Sequence, residues 1–317
     1  MAAEPGATNF ARSVFVVRPC TIGANPETRA SNPFQEARTI APEAVLAEFD
    51  GLVRALDDAG VRVVVGADTP SPPRPDAVFP NNWVSFHEEA VVLYPMLSPN
   101  RRREVRPELV EQVEAELGVV WPRRIDLTGE AERGRFLEGT GSLVLDRARR
   151  RALVGRSPRN HPELVRSWAQ RLGFESLEFD TRGPDARPLY HTNVVVALGP
   201  HHAVWARSWV AEHDRAALAA WFEATDREAL ALDPGESRAF AANALALIGR
   251  DETPLWVLSR RAERALRPAS RRRLEAHAAL VVVPLDAIET LGGGSARCTL
   301  AEIFPPRATE SLLGPSP

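Results

Sequence analysis

Short apolar runs of strand length recur along the chain at intervals of about fifty residues. Five of them share one plan, a polar or small residue followed by an apolar stretch. They begin at Asn82, Gly141, Asn193, Asn243 and Cys298, so the intervals are 59, 52, 50 and 55 residues. A repeat of this length is typical of propellers and related arrays of small structural units.

Each interval is filled in the same way, with a second apolar run, a helical pattern and a third apolar run. In the first helical pattern Val105, Leu109, Val113 and Leu117 are four residues apart, as one face of a helix requires. The predicted second strands cover 90–94, 152–154, 203–205 and 255–258. The predicted helices cover 104–117, 162–172, 214–222 and 270–278. The predicted third strands cover 124–127, 176–179, 228–232 and 280–283.

The remaining unit is split between the two ends of the chain. A strand over 13–17, a helix over 42–59 and a strand over 61–65 lack a first strand, which the segment after Cys298 can supply. The pattern therefore predicts an α/β fold in which five strand–strand–helix–strand units close into a ring. We expect residues 1–317 to form a single domain, and a generic α/β sandwich with accidental spacing remains the alternative.

Composition narrows the classes of function. All 39 basic residues are arginine, so Schiff-base chemistry and a phosphate-binding loop of the P-loop type are excluded, because both need a lysine. A net charge of -3 gives no reason to expect nucleic acid. No run approaches the length of about 20 apolar residues that spans a bilayer, and residues 1–12 lack a signal-peptide core. We expect a cytoplasmic protein that does not bind membranes.

The loops in front of the repeated strands carry the candidate chemistry. If these loops converge on the axis, they bring together Glu138, His191 and Cys298. A thiolate can attack as a nucleophile, a histidine can transfer protons, and a carboxylate can orient the histidine. The alternatives are structural: a cysteine before an apolar run is often a small buried hydrophobe, and a histidine after a proline-rich loop can cap a strand.

Further polar residues lie in the same loops or near them. Asp76 follows a proline-rich stretch and is either a ligand-binding carboxylate or a turn residue. The arginines at 101–103 open a predicted helix, where cations oppose the helix dipole; this indicates an anionic partner or a solvated face. The histidines outside the candidate site are predicted to lie at the surface; they are His87, His161, His201, His202, His213 and His277.

Six short sequence motifs, in the order in which they occur along the chain, resemble those of the guanidino-group-modifying, or pentein, superfamily. This superfamily includes arginine deiminases, dimethylarginine dimethylaminohydrolases and amidinotransferases. Two of the motifs, Phe-Pro-Asn-Asn-Trp at 79–83 and Leu-Glu-Gly-Thr-Gly-Ser at 137–142, are most similar to the citrulline-utilisation hydrolases. The six motifs cover nearly the whole chain and occupy 76–83, 98–105, 136–142, 157–160, 191–193 and 293–298.

The resemblance implies a role for each matching residue. Cys298 would be the nucleophile, His191 the general acid and base, and Glu138 their carboxylate partner. Asp76 would bind the nitrogens of the planar head group, and Arg159 the substrate carboxylate, with Arg101 or Arg102. The resemblance also implies the five-unit ring, a small amino-acid substrate, and neither metal nor cofactor. It leaves the oligomeric state open, a homo-oligomer included.

Two amides stand where relatives of this superfamily have acids. Dimethylarginine hydrolases have an aspartate at the position of Asn82, and arginine deiminases have one at the position of Asn193. A cationic guanidinium favours carboxylates, whereas the carbonyl oxygen of a ureido group needs a donor. We therefore predict a hydrolase of ureido or guanidino amino acids, with citrulline as the first candidate substrate. The alternatives are an arginine or methylarginine deiminase-type hydrolase, an amidinotransferase, and a non-catalytic binding ring.

Overall fold

Five three-stranded sheets make up the β-sheet structure of the described residues. The computed structural model describes residues 9–20 and 23–306. In every sheet the middle strand runs antiparallel to the first strand and parallel to the third. The predicted α/β fold of five strand–strand–helix–strand units is confirmed.

The strands follow the predicted order along the chain. They are β1 (Ser13–Arg18), β2 (Arg62–Ala67), β3 (Val84–His87), β4 (Ala90–Leu93), β5 (Arg124–Asp126), β6 (Val144–Asp146), β7 (Arg151–Gly155), β8 (Glu175–Phe179), β9 (Val196–Leu198), β10 (His202–Trp205), β11 (Glu228–Ala231), β12 (Leu245–Ile248), β13 (Pro254–Ser259), β14 (Ala279–Val283) and β15 (Ala301–Ile303).

The two ends of the described chain meet in one sheet. β15 pairs antiparallel with β1, with Ser13 opposite Ile303 and Phe15 opposite Ala301, and β1 pairs parallel with β2. The segment after Cys298 thus supplies the first strand of the split unit, as predicted. First strands of different sheets also contact one another, β15 with β3, β6 with β9 and β9 with β12.

The long helices start at prolines and bury one apolar face. Proline suits the first helical turn because the N–H that it lacks has no intrahelical partner there. In the longest helix, Val45, Phe49, Leu52 and Leu56 are buried at spacings of three or four residues. The helices are α1 (Pro26–Arg29), α2 (Pro42–Asp58), α3 (Pro107–Leu117), α4 (Gly139–Ser142), α5 (Pro162–Leu172), α6 (Arg215–Glu223), α7 (Pro234–Arg238), α8 (Arg260–Ala265), α9 (Pro268–Glu275) and α10 (Asp286–Gly292).

Two predicted helices begin two or three residues away from their predicted starts, and proline explains both new starts. The helix predicted over 104–117 begins at Pro107, because the residue before a proline is disfavoured in the α conformation and Arg106 is extended. Residues Arg101–Glu104 instead form a separate 3-10 helix. The helix predicted over 270–278 is α9, which starts two residues earlier at Pro268 and ends at Glu275.

The prediction that the remaining histidines lie at the surface is wrong for His87 and His202, which are buried. His87 lies on β3, where its Nε2 is 2.9 Å from the hydroxyl of Ser85. That hydroxyl is 2.7 Å from Tyr94, whose oxygen accepts a hydrogen bond from Trp168. Hydrogen bonding offsets the cost of burying these polar groups. None of the helices in the described part of the chain has the length and apolar character needed to cross a membrane.

Candidate active site

Short helical turns precede four of the five first strands, and they carry the candidate residues. The turns are Pro80–Asn82, α4, Thr192–Val194 and Ala296–Thr299. The first turn contacts α4 and Ala296–Thr299, and α4 contacts Thr192–Val194. The repeat therefore brings together residues that are some fifty positions apart in the chain.

A small pocket opens beside these turns. Cys298 and His191 both line it. The other predicted site residues in its wall are Asp76, Asn82, Arg101 and Arg159.

Glu138 lies behind the pocket and is fully buried. Its Oε2 accepts hydrogen bonds from His191 Nε2 at 2.8 Å and from Arg159 Nη1 at 3.0 Å. Its Oε1 accepts the backbone N–H of Leu97 at 3.1 Å, and Arg101 Nη1 lies 3.7 Å from Oε2. Both carboxylate oxygens are therefore held, and they orient the imidazole.

The protonation states in this pair follow from burial and charge. Burial opposes ionisation of Glu138, but Arg159, His191 and Arg101 outweigh it and hold the pKa of Glu138 well below its usual value. Burial lowers the pKa of His191 to about 4, although Glu138 raises it. Near neutral pH the imidazole is thus uncharged, and it donates its Nε2 proton to Glu138. Its Nδ1 is left as a proton acceptor.

Glycines in α4 allow the turns to approach closely. At Gly139, where φ is +41°, a side-chain Cβ would lie 2.3 Å from the carbonyl oxygen of Asn81. At Gly141 a Cβ would lie 2.8 Å from Nδ1 of His191. Any other residue would push the first turn or the imidazole out of place. The glycines next to Glu138 therefore serve close packing of the site itself.

The nucleophile candidate is held by two asparagines. Asn243 Nδ2 donates to Cys298 Sγ at 3.3 Å, and Sγ lies 3.7 Å from Asn193 Oδ1. Burial raises the pKa of the Cys298 thiol above its usual value, while the hydrogen bond from Asn243 lowers it. In the free protein the thiol is therefore protonated near neutral pH, and it needs an added positive charge or a base to react.

Arg101 is the most heavily paired cation of the site. It donates from Nε and Nη2 to both oxygens of Glu104, at 2.8–3.2 Å, and its Nε lies 3.6 Å from Asp76 Oδ2. Burial raises the pKa of Glu104 to about 7, even though Arg101 opposes this shift. The guanidinium thus links the wall of the pocket to the carboxylate behind it.

Several buried polar atoms around Asp76 and Asn82 have no hydrogen-bond partner among the residues that the structure describes. Asp76 Oδ2 accepts hydrogen bonds from Asn25 Nδ2 and Thr28 Oγ1, at 2.7 and 3.1 Å. Within the described residues, however, Asp76 Oδ1 has no hydrogen-bond partner, nor do the Nδ2 atoms of Asn82 and Asn193. Buried polar groups normally have partners. Asp76 and Asn82 also line the pocket, so their unpartnered atoms are suited to a ligand.

The structure does not bring every predicted residue to the pocket. Arg102 is exposed and donates to the backbone carbonyls of Met96 and Leu97, so it points away from the site. Asn193 contacts the thiol and Asn243 but is not in the pocket wall. Arg159 is in the wall, with Nη2 bonded to Ser31 at 2.9 Å.

Sequence reasoning missed two parts of the site. Asn243 begins the fourth repeat, the same position as Asn82, Asn193 and Cys298 in theirs, so the repeat itself could have identified it. Thr28 and Asn32 also line the pocket, and they lie between β1 and α2, where the repeat has no counterpart to compare.

Comparison with known proteins agrees with the fold. The family model for eukaryotic N,N-dimethylarginine dimethylhydrolase matches residues 18–305. The N-terminal domain of ArgZ, an arginine dihydrolase from cyanobacteria, superposes with a TM-score of 0.73 at 17% identity, over 93% of this chain and 98% of that one. No curated protein matches the chain in sequence.

Two further solved structures have the same fold. AgrE in complex with L-arginine gives a TM-score of 0.74 at 18% identity over 94% of this chain, which corresponds to 41% of the AgrE chain. A dimethylarginine dimethylaminohydrolase adduct with S-methyl-L-thiocitrulline gives 0.64 at 15% identity, over 93% of this chain and all of that one. The chain belongs to the N,N-dimethylarginine dimethylhydrolase family, within the guanidino-group-modifying superfamily.

Proposed function

We propose that this chain, as one catalytic domain, hydrolyses a C–N bond in the guanidino or ureido group of an amino acid. The observation that carries the proposal is that Cys298 shares a pocket with His191, whose Nε2 is hydrogen-bonded to the buried Glu138 at 2.8 Å. A thiol, a neutral imidazole and an orienting carboxylate are the parts that covalent acyl- or amidino-type transfer requires.

The reaction has two halves. His191, uncharged in the free protein, takes the proton of the Cys298 thiol, and the thiolate attacks the head-group carbon. His191 then delivers a proton to the departing nitrogen, so that an amine or ammonia leaves and a covalent thiol adduct remains. In the second half His191 removes a proton from water, the hydroxide attacks the adduct, and the C–S bond breaks. Glu138 keeps the imidazole oriented throughout and stabilises its charged form.

The amino-acid end of the substrate needs an anion site. Arg159 lies in the pocket wall, and its Nε has no hydrogen-bond partner among the described residues. Its two terminal nitrogens are held by Glu138 and Ser31, so the guanidinium has a fixed orientation. This supports Arg159 as the group that receives the substrate carboxylate, with Arg101 contributing positive charge beside it.

Citrulline is the first candidate substrate. Asn82 lines the pocket and has an unpartnered Nδ2, which can donate to the carbonyl oxygen of a ureido group. The unpartnered oxygen of Asp76 can accept an N–H from the same head group. One amide donor and one carboxylate acceptor match the two kinds of polar atom that a ureido group presents.

A guanidino substrate is the second candidate, and charge favours it. Three buried carboxylates, those of Asp76, Glu104 and Glu138, lie against only two guanidinium groups, those of Arg101 and Arg159, so negative charge is in excess whenever Glu104, with its pKa of about 7, is ionised. A bound cation would balance the excess. It would also lower the raised pKa of Cys298, which a neutral ureido group would not do.

The proposal is tested by turnover and by mass. Purified protein is given citrulline, arginine or methylated arginines, with and without an amine acceptor, and ammonia and amino-acid products are measured. Cys298→Ala should abolish turnover while the far-UV circular dichroism spectrum stays unchanged; undiminished turnover in this variant would refute the mechanism. Mass spectrometry of trapped wild-type protein should show an adduct on Cys298 whose mass identifies the head group. Product formed only with an amine acceptor would indicate an amidinotransferase.

A further inference from the structure

A further buried carboxylate lies behind the nucleophile and takes no part in the proposed reaction. Glu289 is on α10 and is fully buried. Its Oε1 accepts a hydrogen bond from the hydroxyl of Ser295 at 2.6 Å. Its Oε2 has no hydrogen-bond partner in the described residues, and Arg261 Nη1 lies 3.8 Å from it. A hydroxyl bond this short to a carboxylate is a strong, charge-assisted contact.

Ser295 connects this carboxylate to the nucleophile. Its backbone N–H donates to Asn243 Oδ1 at 3.2 Å, and its carbonyl accepts the backbone N–H of Cys298 at 2.9 Å. Asn243 in turn donates to Cys298 Sγ at 3.3 Å. Ser295 thus orients both the turn that carries the thiol and the amide that contacts the sulfur.

The stretch before Ser295 has little stiffness of its own. Residues 292–294 are three successive glycines, which restrict the backbone less than any other residue. The carbonyl of Gly293 accepts hydrogen bonds from Tyr190 and Asn32, at 2.6 and 3.2 Å. Ser295 is the first residue after the glycines whose side chain can be held, and Glu289 holds it.

We propose that Glu289 is a positioning residue for the nucleophile, which acts through the hydroxyl of Ser295. The inference rests on the proposed role of Cys298. Removal of the contact should let the turn and the amide of Asn243 move relative to the sulfur, so that a smaller fraction of molecules has the reactive geometry.

The charge on Glu289 changes near neutral pH. Burial raises the pKa of Glu289 to about 7, and the nearby Asp286 raises it further, while Ser259, Ser295 and Arg261 lower it. The carboxylate form binds the hydroxyl of Ser295 more strongly than the neutral acid does. The reactivity of Cys298 should therefore rise as pH passes through about 7 by more than ionisation of the thiol alone explains.

The experiment measures alkylation of Cys298 by iodoacetamide between pH 6 and 8, together with kcat on the active substrate. All proteins carry Cys20→Ser, because Cys20 is an exposed free thiol that would react as well. The variants are Glu289→Gln, Ser295→Ala and, as a matched control, Glu236→Gln, a buried glutamate on α7 that caps a helix and bonds to Arg267.

Ser295→Ala should lower alkylation and kcat about tenfold, the effect of one hydrogen bond to a charged group. Glu289→Gln keeps the acceptor oxygen, so the ratio of wild-type to variant rates should be near one at pH 6 and rise about threefold by pH 8. Glu236→Gln should give a ratio that does not change with pH. A flat ratio for Glu289→Gln, or full rates in Ser295→Ala, would overturn the proposal.

The alkylation arm separates this inference from the proposed function. If no substrate turns over but the ratio still rises with pH, the hydrolase proposal fails and the positioning role stands. If turnover is normal and the ratio does not change with pH, the positioning role of Glu289 fails and the hydrolase proposal stands. Should Ser295→Ala fail to fold, as judged by circular dichroism, the pH dependence of Glu289→Gln decides alone.

Discussion

The two sides of the pocket differ in how completely their polar atoms are bonded. Behind His191, both oxygens of Glu138 accept hydrogen bonds, and two arginines lie against it. On the head-group side, Asp76 and Asn82 each keep a buried polar atom without a partner in the described residues.

This difference separates two tasks. In the proposed reaction, the bonded side holds the imidazole of His191 in one orientation, which is already fixed when the protein folds. The unbonded side would then supply hydrogen-bond donors and acceptors to the substrate and so determine which head group binds. Mutations on the two sides should therefore change different kinetic parameters.

Glu138→Gln should have the largest effect. The substitution removes the negative charge that accepts hydrogen bonds from Arg159 and His191. We expect kcat to fall roughly 10²–10⁴-fold, the usual contribution of acid–base catalysis. Breaking a buried ion pair should also lower the free energy of unfolding by roughly 3–5 kcal/mol. Steady-state kinetics and urea unfolding measure both, with Glu236→Gln as the control. A loss of kcat below tenfold would remove Glu138 from the catalytic group.

Asp76→Asn should act on binding instead. The amide oxygen can still accept from Asn25 and Thr28, but the free carboxylate oxygen is lost. KM should rise about tenfold to a hundredfold, the cost of losing a hydrogen bond to a charged group, with a smaller change in kcat. Initial-rate kinetics over a wide substrate range separate the two constants. An unchanged KM with a collapsed kcat would place Asp76 on the bonded side instead.

Asn82→Asp should change the preference between head groups. A carboxylate at this position repels the ureido oxygen and attracts a guanidinium. The ratio of kcat/KM for citrulline to that for arginine should fall about tenfold, roughly the value of one hydrogen bond to a charged group. Competition between the two substrates gives the ratio directly. Asn81→Asp, one residue earlier and outside the pocket wall, serves as the comparison.

The smallest effect at neutral pH concerns stability in acid. The pKa of His191 is lowered to about 4 in the folded protein, below the value of about 6.5 in an unfolded chain. The unfolded state then binds more protons between these values, so this contribution to stability is complete above pH 6.5 and is lost as pH falls through 4. Urea midpoints of wild-type protein should fall more steeply from pH 7 to pH 5 than those of His191→Gln. Parallel curves would contradict the lowered pKa.

Most of the fold could be predicted from the sequence repeat, because every unit buries the same faces of its strands and helix. Helix α5 has the predicted bounds, and the strand after Cys298 pairs where the split unit needs it. The predicted helix start was wrong where a proline determines it, as at Pro107. His87 was wrongly predicted to lie at the surface, because burial of a histidine depends on hydrogen-bond partners such as Ser85. No local sequence pattern indicates such partners.

The site was predictable where residues occupy equivalent repeat positions. Glu138, His191 and Cys298 lie on or beside the turns that the repeat brings together, whereas Arg102 lies on a 3-10 helix with no such constraint. Thr28 could not be found because its contact with Asp76 spans the split unit and follows no period. The state of a polar atom, bonded or free, depends on three-dimensional packing that no residue pattern records.

The pairing of β15 with β1 has a consequence for synthesis of the protein. Cys298 lies three residues before β15, the strand that pairs with β1 near the start of the described chain. Because synthesis runs from the N-terminus, Cys298 and β15 are made after β1 to β14, and Cys298 can join His191 in the pocket only then. A chain cut before residue 301 would leave β1 without its antiparallel neighbour β15.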